Sequence, residues 1–397
     1  MTDARNTDIA VSDCISTALE DARSAGLRYV DDQMPGITRQ ADKDGFSYCD
    51  AKGAALEDEK ELARIKSLAI PPAWIDVWIC RWANGHIQAT GRDARGRKQY
   101  RYHPQWRSVR DEAKYGRMRD FGLALPMIRE KLGAALALPG LPREKVLALI
   151  VCLLQSTMMR VGNKEYARSN DSFGMTTLRK KHVRVDGSEI RFEFRGKSGV
   201  QHSIRLYDRR LARIISRTRD LPGQELFQYV DEEGVRHTLG SADVNDYLRE
   251  MTGEDYTAKD FRTWSGTMLA AAILADCEPA ESAAQAKKNI VQAIDTVAKK
   301  LGNTPAICRK CYVHPGVLDA YAEGSLQAIV EAASDKSNKN DTPEREEAIV
   351  LALLEHVATA APANLASAKP AKSRKRKTAD GDASTRGKKA VSLAKAA

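Results

Sequence analysis

No apolar run in this 397-residue sequence approaches the length a membrane span needs. The opening stretch, MTDARNTDIAVSD, is acidic and polar, so nothing in it reads as a secretory signal. Cysteine is sparse and odd in number: seven residues stand at 14, 49, 80, 152, 277, 308 and 311, a scatter that fits reduced thiols and not a disulfide framework. There is no Gly-x-x-x-x-Gly-Lys-Ser/Thr loop for nucleotide phosphates and no acidic cluster for a metal. Internal repeats are also absent. A chain of this length holds two or three domains, and the expectation is a cytoplasmic protein with no membrane partner and no cofactor.

What the sequence has is basic charge, and it is unevenly placed. The net formal charge is +10. Residues 1–80 carry nine Lys/Arg against fifteen Asp/Glu, whereas residues 81–119 carry eleven against three. Residues 160–220 carry sixteen against seven, and residues 369–397 carry ten against two. One basic block is usually a solvated face. Three of them point to a polyanion, because clustered cations bind nucleic acid by releasing condensed counterions.

The patterning predicts an α+β protein. Residues 1–25 form an N-terminal extension, and residues 26–107 read as a small β-rich domain. Within it, AWIDVWICRWANGHIQATGRD has two strand-like runs around Asn84-Gly85, a hairpin signal. GRKQYRYHPQW then alternates, placing Tyr100 and Tyr102 on one face and Arg101 on the other. Residues 108–333 read as a larger, mainly helical domain. LPREKVLALIVCLLQSTMMRVG is a core helix with Arg160 and Gly162 at its C-terminal end. KKHVRVDGSEIRFEFRGKSGVQHSIRL switches to period two and predicts a three-stranded meander with Lys197 at a hairpin tip. Ser241 is expected to cap one helix, and Thr257 with Asp260 to cap the next, which puts Arg262 in its early turns. A long helix should stop at Gly302, and Thr304-Pro305 should start a short one in which Tyr312 lies about two turns in. Residues 334–359 read as a linker and C-terminal helix. From 360 to 397 the Ala/Lys-rich composition predicts a disordered tail.

The stretch LGNTPAICRKCYVHP poses three chemistries: a zinc half-site, a redox dithiol or a reactive tyrosine. Structural zinc wants four ligands, and Cys308, Cys311 and His314 offer three with no second pair elsewhere. A dithiol of the thioredoxin kind belongs in a βαβ setting, which this is not. A tyrosine that attacks a phosphodiester must lose a proton from a phenol of pKa near 10. It therefore needs fixed guanidiniums for the charge on the phosphate and an acid for the departing oxygen. Tyr312, Arg160, Arg262 and Lys197 meet that demand as a set, although each alone reads as a packed or surface residue.

The sequence resembles the compact bacterial and poxvirus-like branch of the type IB DNA topoisomerases over most of residues 26–325. GRKQYRYHP, MMRVGNKEYA, RFEFRGKSGVQHSIRL, DLPGQELFQYVD, YTAKDFRTW and LGNTPAICRKCYVHP carry the likeness, in order and at matching spacing. The resemblance implies a β-rich domain and a helical catalytic domain that clamp duplex DNA as a monomer. It implies Tyr312 as the nucleophile of a 3′-phosphotyrosyl link, Arg160 and Arg262 as holders of the scissile phosphate, and Lys197 as general acid. Lys98, Gln99, Tyr100 and Tyr102 match the DNA-touching strand, and Lys259 a lysine beside the cleavage site. No metal or nucleotide is implied, and a nucleoid-associated location in the cytoplasm is. One position departs: where poxvirus members have a His nine residues before the nucleophile, this chain has Asn303, whose amide can donate a hydrogen bond but brings no charge.

Two rival readings stay open on the residues alone. A tyrosine site-specific recombinase would share the chemistry, but it usually carries His-x-x-Arg where this chain has Lys259-Asp260-Phe261-Arg262. A non-catalytic basic DNA-binding protein would need none of the four residues.

Overall fold

The computed structural model describes residues 19–43, 45–334 and 342–365. The expected tail from 366 onward, most of the N-terminal extension and residues 335–341 of the linker lie outside them. Two compact units divide after Glu355. The first carries everything discussed below except the end of the last helix.

An antiparallel five-stranded sheet comes first. Its strands are β1 (Ile37–Asp42), β2 (Gly45–Cys49), β3 (Ile75–Ile79), β4 (Ile87–Arg92) and β5 (Lys98–Tyr102), in the order β2-β1-β3-β4-β5. Helix α1 (Glu59–Ser67), capped by Asp58 on the Lys60 amide, lays Ile65 on a cluster of Ile37, Val77, Ile79 and Ala89. Arg64 of α1 ties the helix to the sheet, donating to Oε1 of Gln88 at 2.8 Å and to the Cys80 carbonyl at 2.7 Å. The β3–β4 connection spans residues 80–86. Asn84-Gly85 lies inside this longer loop, where the Asn84 side-chain amide donates to the carbonyl of Gly26 at 3.3 Å.

Helices α2 (Pro104–Gly116), α3 (Met118–Ala137) and α4 (Arg143–Thr157) follow. The sequence of α4 is apolar nearly all round, so it must be enclosed. Residues Val146 through Val151, with Leu153 and Leu154, are at most 1% exposed. Helix α4 ends earlier than expected: Met158 turns left-handed at φ 56°, so Arg160 lies in the irregular segment beyond the helix. After α5 (Lys164–Asn170), strands β6 (Val183–Asp186), β7 (Glu189–Arg195) and β8 (Gln201–Tyr207) form the expected meander. Ile190, Phe192 and Phe194 are buried on one face of β7.

The chain continues through α6 (Arg209–Asp220), a two-stranded ribbon β9 (Gln228–Val230) and β10 (Arg236–Thr238), and α7 (Ser241–Thr252). Gly240, and not Ser241, occupies the cap of α7, its amide donating to Asp243 Oδ2 at 2.8 Å. Helices α8 (Ala258–Ala275), α9 (Ala283–Leu301), α10 (Pro305–Cys311), α11 (Pro315–Ala322), α12 (Leu326–Ser334) and α13 (Thr342–Leu365) complete the fold. Helix α13 continues to Leu365 instead of giving way to a tail at 360, as its Ala-rich end allows. Among the described residues no helix is long and apolar enough to cross a membrane.

Candidate active site

Four separate segments meet at one place. Thr257 and Asp260 start α8 by reciprocal capping, the Thr257 amide donating to Asp260 Oδ2 at 2.8 Å. Arg262 thus faces inward on the second turn and is only 4% exposed. Its guanidinium donates to the carbonyls of Met158 and Leu301, the latter at 3.0 Å. One of these carbonyls is the left-handed C-cap residue of α4 and the other is the last residue of α9. Both lack helical amide partners, which is what makes them available.

Arg160 arrives from the other side. Its Nη2 donates to the Gly302 carbonyl at 3.0 Å and to Oδ1 of Asn303. Gly302 ends α9 at φ 60°, the left-handed conformation that turns the backbone so both acceptors face Arg160. Burial pushes both guanidiniums below the usual arginine range, and the Tyr312 phenol opposes that shift in each. Arginine starts so far above neutrality that both remain cations. Two buried donors, Nε of Arg262 and Nδ2 of Asn303, have no partner within the described residues. Buried donors are normally paired, so these mark a place where an acceptor is expected to bind.

Tyr312 is at the end of α10, not inside it. The helix stops at Cys311, and Tyr312 takes φ −133°, ψ −4°. The reason is Pro315, which forces His314 into an extended conformation and makes it the cap of α11, its Nδ1 accepting from the Gly316 amide at 3.0 Å. The chain has to leave the helix before that point. The Arg262 guanidinium carbon lies 5.0 Å from the centre of the Tyr312 ring. Gly266 of α8 packs directly on the Tyr312 backbone, so that a Cβ there would sit 2.5 Å from the Tyr312 carbonyl oxygen. Thr267 Oγ1 accepts from the His314 amide at 3.1 Å.

A further grip comes from α2 and was not foreseen from sequence. The Tyr115 hydroxyl lies 3.0 Å from the carbonyl oxygens of both Lys310 and Val313, and the Lys114 ammonium donates to the Cys311 carbonyl. These are the terminal carbonyls around Tyr312, which α10 cannot satisfy internally. Tyr115 also meets His314 edge to face, with ring centres 4.9 Å apart. Burial and the Lys114 charge push the His314 imidazole down to about 4.

Lys197 sits where the sequence placed it, on the exposed turn Lys197–Gly199 between β7 and β8, with Ser198 left-handed at φ 62°. Its ammonium makes no hydrogen bond or ion pair among the described residues. The preceding residue, Gly196, lines the same small crevice as Arg160 and Arg262. His202, another residue that sequence reasoning missed, lines it too, stacked on Phe194 with centres 5.0 Å apart. Burial first, then the charges of Arg160 and Arg262, hold its imidazole below the usual range.

The other predicted residues lie apart from this centre. Lys98, Tyr100 and Tyr102 share an exposed face of β5, the two rings stacked 5.8 Å apart. Lys98 is ion-paired to Asp32 at 2.6 Å. Gln99 is on the opposite face, half-buried, with its amide on Asp93 Oδ2 at 3.0 Å. Lys259 is exposed in the first turn of α8. Among the described residues no three His, Cys, Asp or Glu side chains converge as a metal set. Cys308 is fully buried, which pushes its thiol up to about 11, the opposite of what a thiolate ligand or redox nucleophile needs.

Comparison with known proteins supplies an independent line. Residues 103–340 match the family described as eukaryotic DNA topoisomerase I, catalytic core. Residues 45–93 match bacterial DNA topoisomerase IB, N-terminal domain. DNA topoisomerase 1B of Acanthamoeba polyphaga mimivirus is 33% identical over 317 residues, covering 78% of this chain and 92% of that protein. DNA topoisomerase 1B of vaccinia virus (strain Copenhagen) is 23% identical over 302 residues, 72% of this chain and 91% of the viral protein.

Proposed function

This chain belongs to the type IB DNA topoisomerases, and from that premise we propose how its residues carry out the reaction. It is an enzyme that binds DNA and relaxes supercoils. The Tyr312 oxygen attacks the scissile phosphorus, its proton passing to water. The bond from phosphorus to the 5′ oxygen breaks, and Lys197 donates a proton to that oxygen. The product is a 3′-phosphotyrosyl link and a free 5′-hydroxyl. Torsional strain turns the broken strand about the intact one, and the same hydroxyl then attacks the phosphotyrosine and reseals the strand. The ester conserves the bond energy, so the cycle needs neither ATP nor a required metal.

One observation carries this reading: Arg160 and Arg262, far apart in sequence, are both fixed by helix-terminal carbonyls within reach of the Tyr312 side chain. Charge that develops on a phosphate is stabilised most by donors already in place. The orphaned Nε of Arg262 and Nδ2 of Asn303 suit the phosphate oxygens. In this reading Asn303 both orients Arg160 and donates one hydrogen bond of its own. The exposed Lys98, Tyr100 and Tyr102 face and Lys259 contact the duplex, while Gln99, on the other face of β5 and bonded to Asp93, steadies that strand. The protein acts as a monomer on double-stranded DNA in the nucleoid.

The test is relaxation of positively and negatively supercoiled plasmid in EDTA without ATP, comparing wild type with Tyr312→Phe. Wild type should relax both, Tyr312→Phe neither, and the denatured adduct should hold the 3′ end of the cut strand. Loss of wild-type activity in EDTA, or relaxation by Tyr312→Phe, overturns the proposal.

A further inference from the structure

Lys197 has a problem of placement. It stands on an exposed turn, makes no polar contact of its own among the described residues, and lies next to a left-handed Ser198. A general acid on such a turn is useful only if something fixes the base of the hairpin relative to the arginines. The hairpin closes on itself through the Gly196 amide, which donates to the Val200 carbonyl at 2.7 Å. That bond sets the turn but does not connect it to Arg160 or Tyr312.

The base of the hairpin is tied to the Arg160 backbone by two amides, Phe173 donating to the Arg195 carbonyl and Met175 to the Arg160 carbonyl, each at 2.8 Å. His202 adds the connection to the α9–α10 turn. Its ring lies between two glycines from different parts of the chain. A Cβ on Gly196 would come 2.6 Å from Cδ2 and 2.7 Å from Nε2 of His202. A Cβ on Gly302 would come 2.5 Å from Cε1 and 3.1 Å from Nε2. Gly196 immediately precedes Lys197. Gly302 immediately precedes Asn303 and offers its carbonyl to Arg160. The ring is also stacked on Phe194, 15° from parallel. Neither ring nitrogen is hydrogen-bonded within the described residues, so what the ring supplies here is shape.

We infer that His202 is a positioning residue: its ring is a spacer that sets the distance between the Lys197 hairpin and the α9–α10 turn holding Arg160. This rests on the proposed role of Lys197 as acid. Gly196 matters in the same way. Its backbone is extended, at φ −98° and ψ −165°, a conformation open to any residue. Its lack of a side chain is explained by the imidazole pressed against it and not by backbone strain.

A substrate that does not need an acid separates this role from a general loss of structure. In a duplex with a 5′-bridging phosphorothiolate, the Tyr312 oxygen–phosphorus bond forms, the phosphorus–sulfur bond breaks, and the thiolate leaves without taking a proton. Single-turnover cleavage of the oxygen and sulfur duplexes should be compared for wild type, Lys197→Ala, His202→Ala, Gly196→Ala, His202→Phe and Arg262→Ala. On oxygen, His202→Ala and Gly196→Ala should be slower than wild type by about 10-fold or more. On sulfur, they should recover to within about threefold, in step with Lys197→Ala, while Arg262→Ala stays slow on both. His202→Phe, which keeps a flat ring in the gap, should stay within about threefold of wild type on oxygen.

If Lys197→Ala recovers on sulfur and neither His202→Ala nor Gly196→Ala does, the positioning role is overturned. A His202→Phe as slow as His202→Ala also overturns it, since the imidazole and not the shape would then matter. If Lys197→Ala itself fails to recover, the general-acid reading has failed, and this inference falls with it.

Discussion

Tyr115 and Tyr312 are joined through backbone and not through their rings: the Tyr115 hydroxyl lies 3.0 Å from the carbonyls of Lys310 and Val313, on either side of Tyr312. A single hydroxyl proton serves one acceptor at a time, so Tyr115→Phe loses about one hydrogen bond, worth roughly 1 kcal/mol. Cleavage by Tyr115→Phe should be slower by several-fold in single turnover, with DNA affinity unchanged in a filter-binding titration. Equal cleavage rates would mean that Lys114 and α8 hold Tyr312 without the Tyr115 hydroxyl.

The contact between Arg160 and Asn303 makes the asparagine both a support and a donor. Asn303→Ala removes one neutral donor and leaves both cations in place. It should slow single-turnover cleavage by about 10-fold, against about 10³-fold for Arg160→Ala or Arg262→Ala. Matching defects in the three variants would show that the amide does more than this geometry assigns.

Gly266 has no room for a side chain, because the Tyr312 carbonyl oxygen is 2.5 Å from where its Cβ would be. That neighbour is backbone and cannot rotate away. Gly266→Ala should push Tyr312 out of line, at a cost of about 1–3 kcal/mol in stability. Cleavage should fall more steeply than the denaturation midpoint, since the shift falls on the proposed nucleophile. A variant with normal cleavage and a normal midpoint would show that α8 and α10 can slide apart freely.

His314 is buried and neutral, with its imidazole pushed down to about 4. The ordinary histidine value near 6.5 applies to the unfolded chain, which therefore binds more protons between those two pH values. Stability from this residue is fully present above about pH 6.5 and is lost as pH falls toward 4, by up to about 3 kcal/mol. Urea denaturation at a series of pH values should show this slope. In His314→Asn, which keeps a capping acceptor but does not titrate, the slope should be shallower.

How far these features could be read from sequence depends on whether their cause is local. Thr257 with Asp260, Gly302 as a helix stop and the Lys197 hairpin tip are each set within a few residues, and each is where the pattern placed it. The position of Tyr312 was nearly legible: Pro315 was visible, but the helix gives way at Cys311 to let His314 serve as the next cap. The grip of Lys114 and Tyr115 on α10 joins residues almost 200 positions apart, and no periodicity announces it. His202 has ordinary strand alternation, and only the fold reveals that its inward face meets Gly302. Gln99 shows the converse. The alternation that puts Tyr100 and Tyr102 on one face already assigns Gln99 to the other, although the resemblance groups the three as DNA-touching, and the structure has it on Asp93.

The order of these segments along the chain has a bearing on synthesis. The residues that hold Arg160 and Arg262 are made before α10, and Tyr312 comes after every one of them. A polypeptide that ends short of α10 carries both arginines but not Tyr312. On the proposed mechanism it lacks the group that would be esterified, so interrupted translation yields no cleaving enzyme.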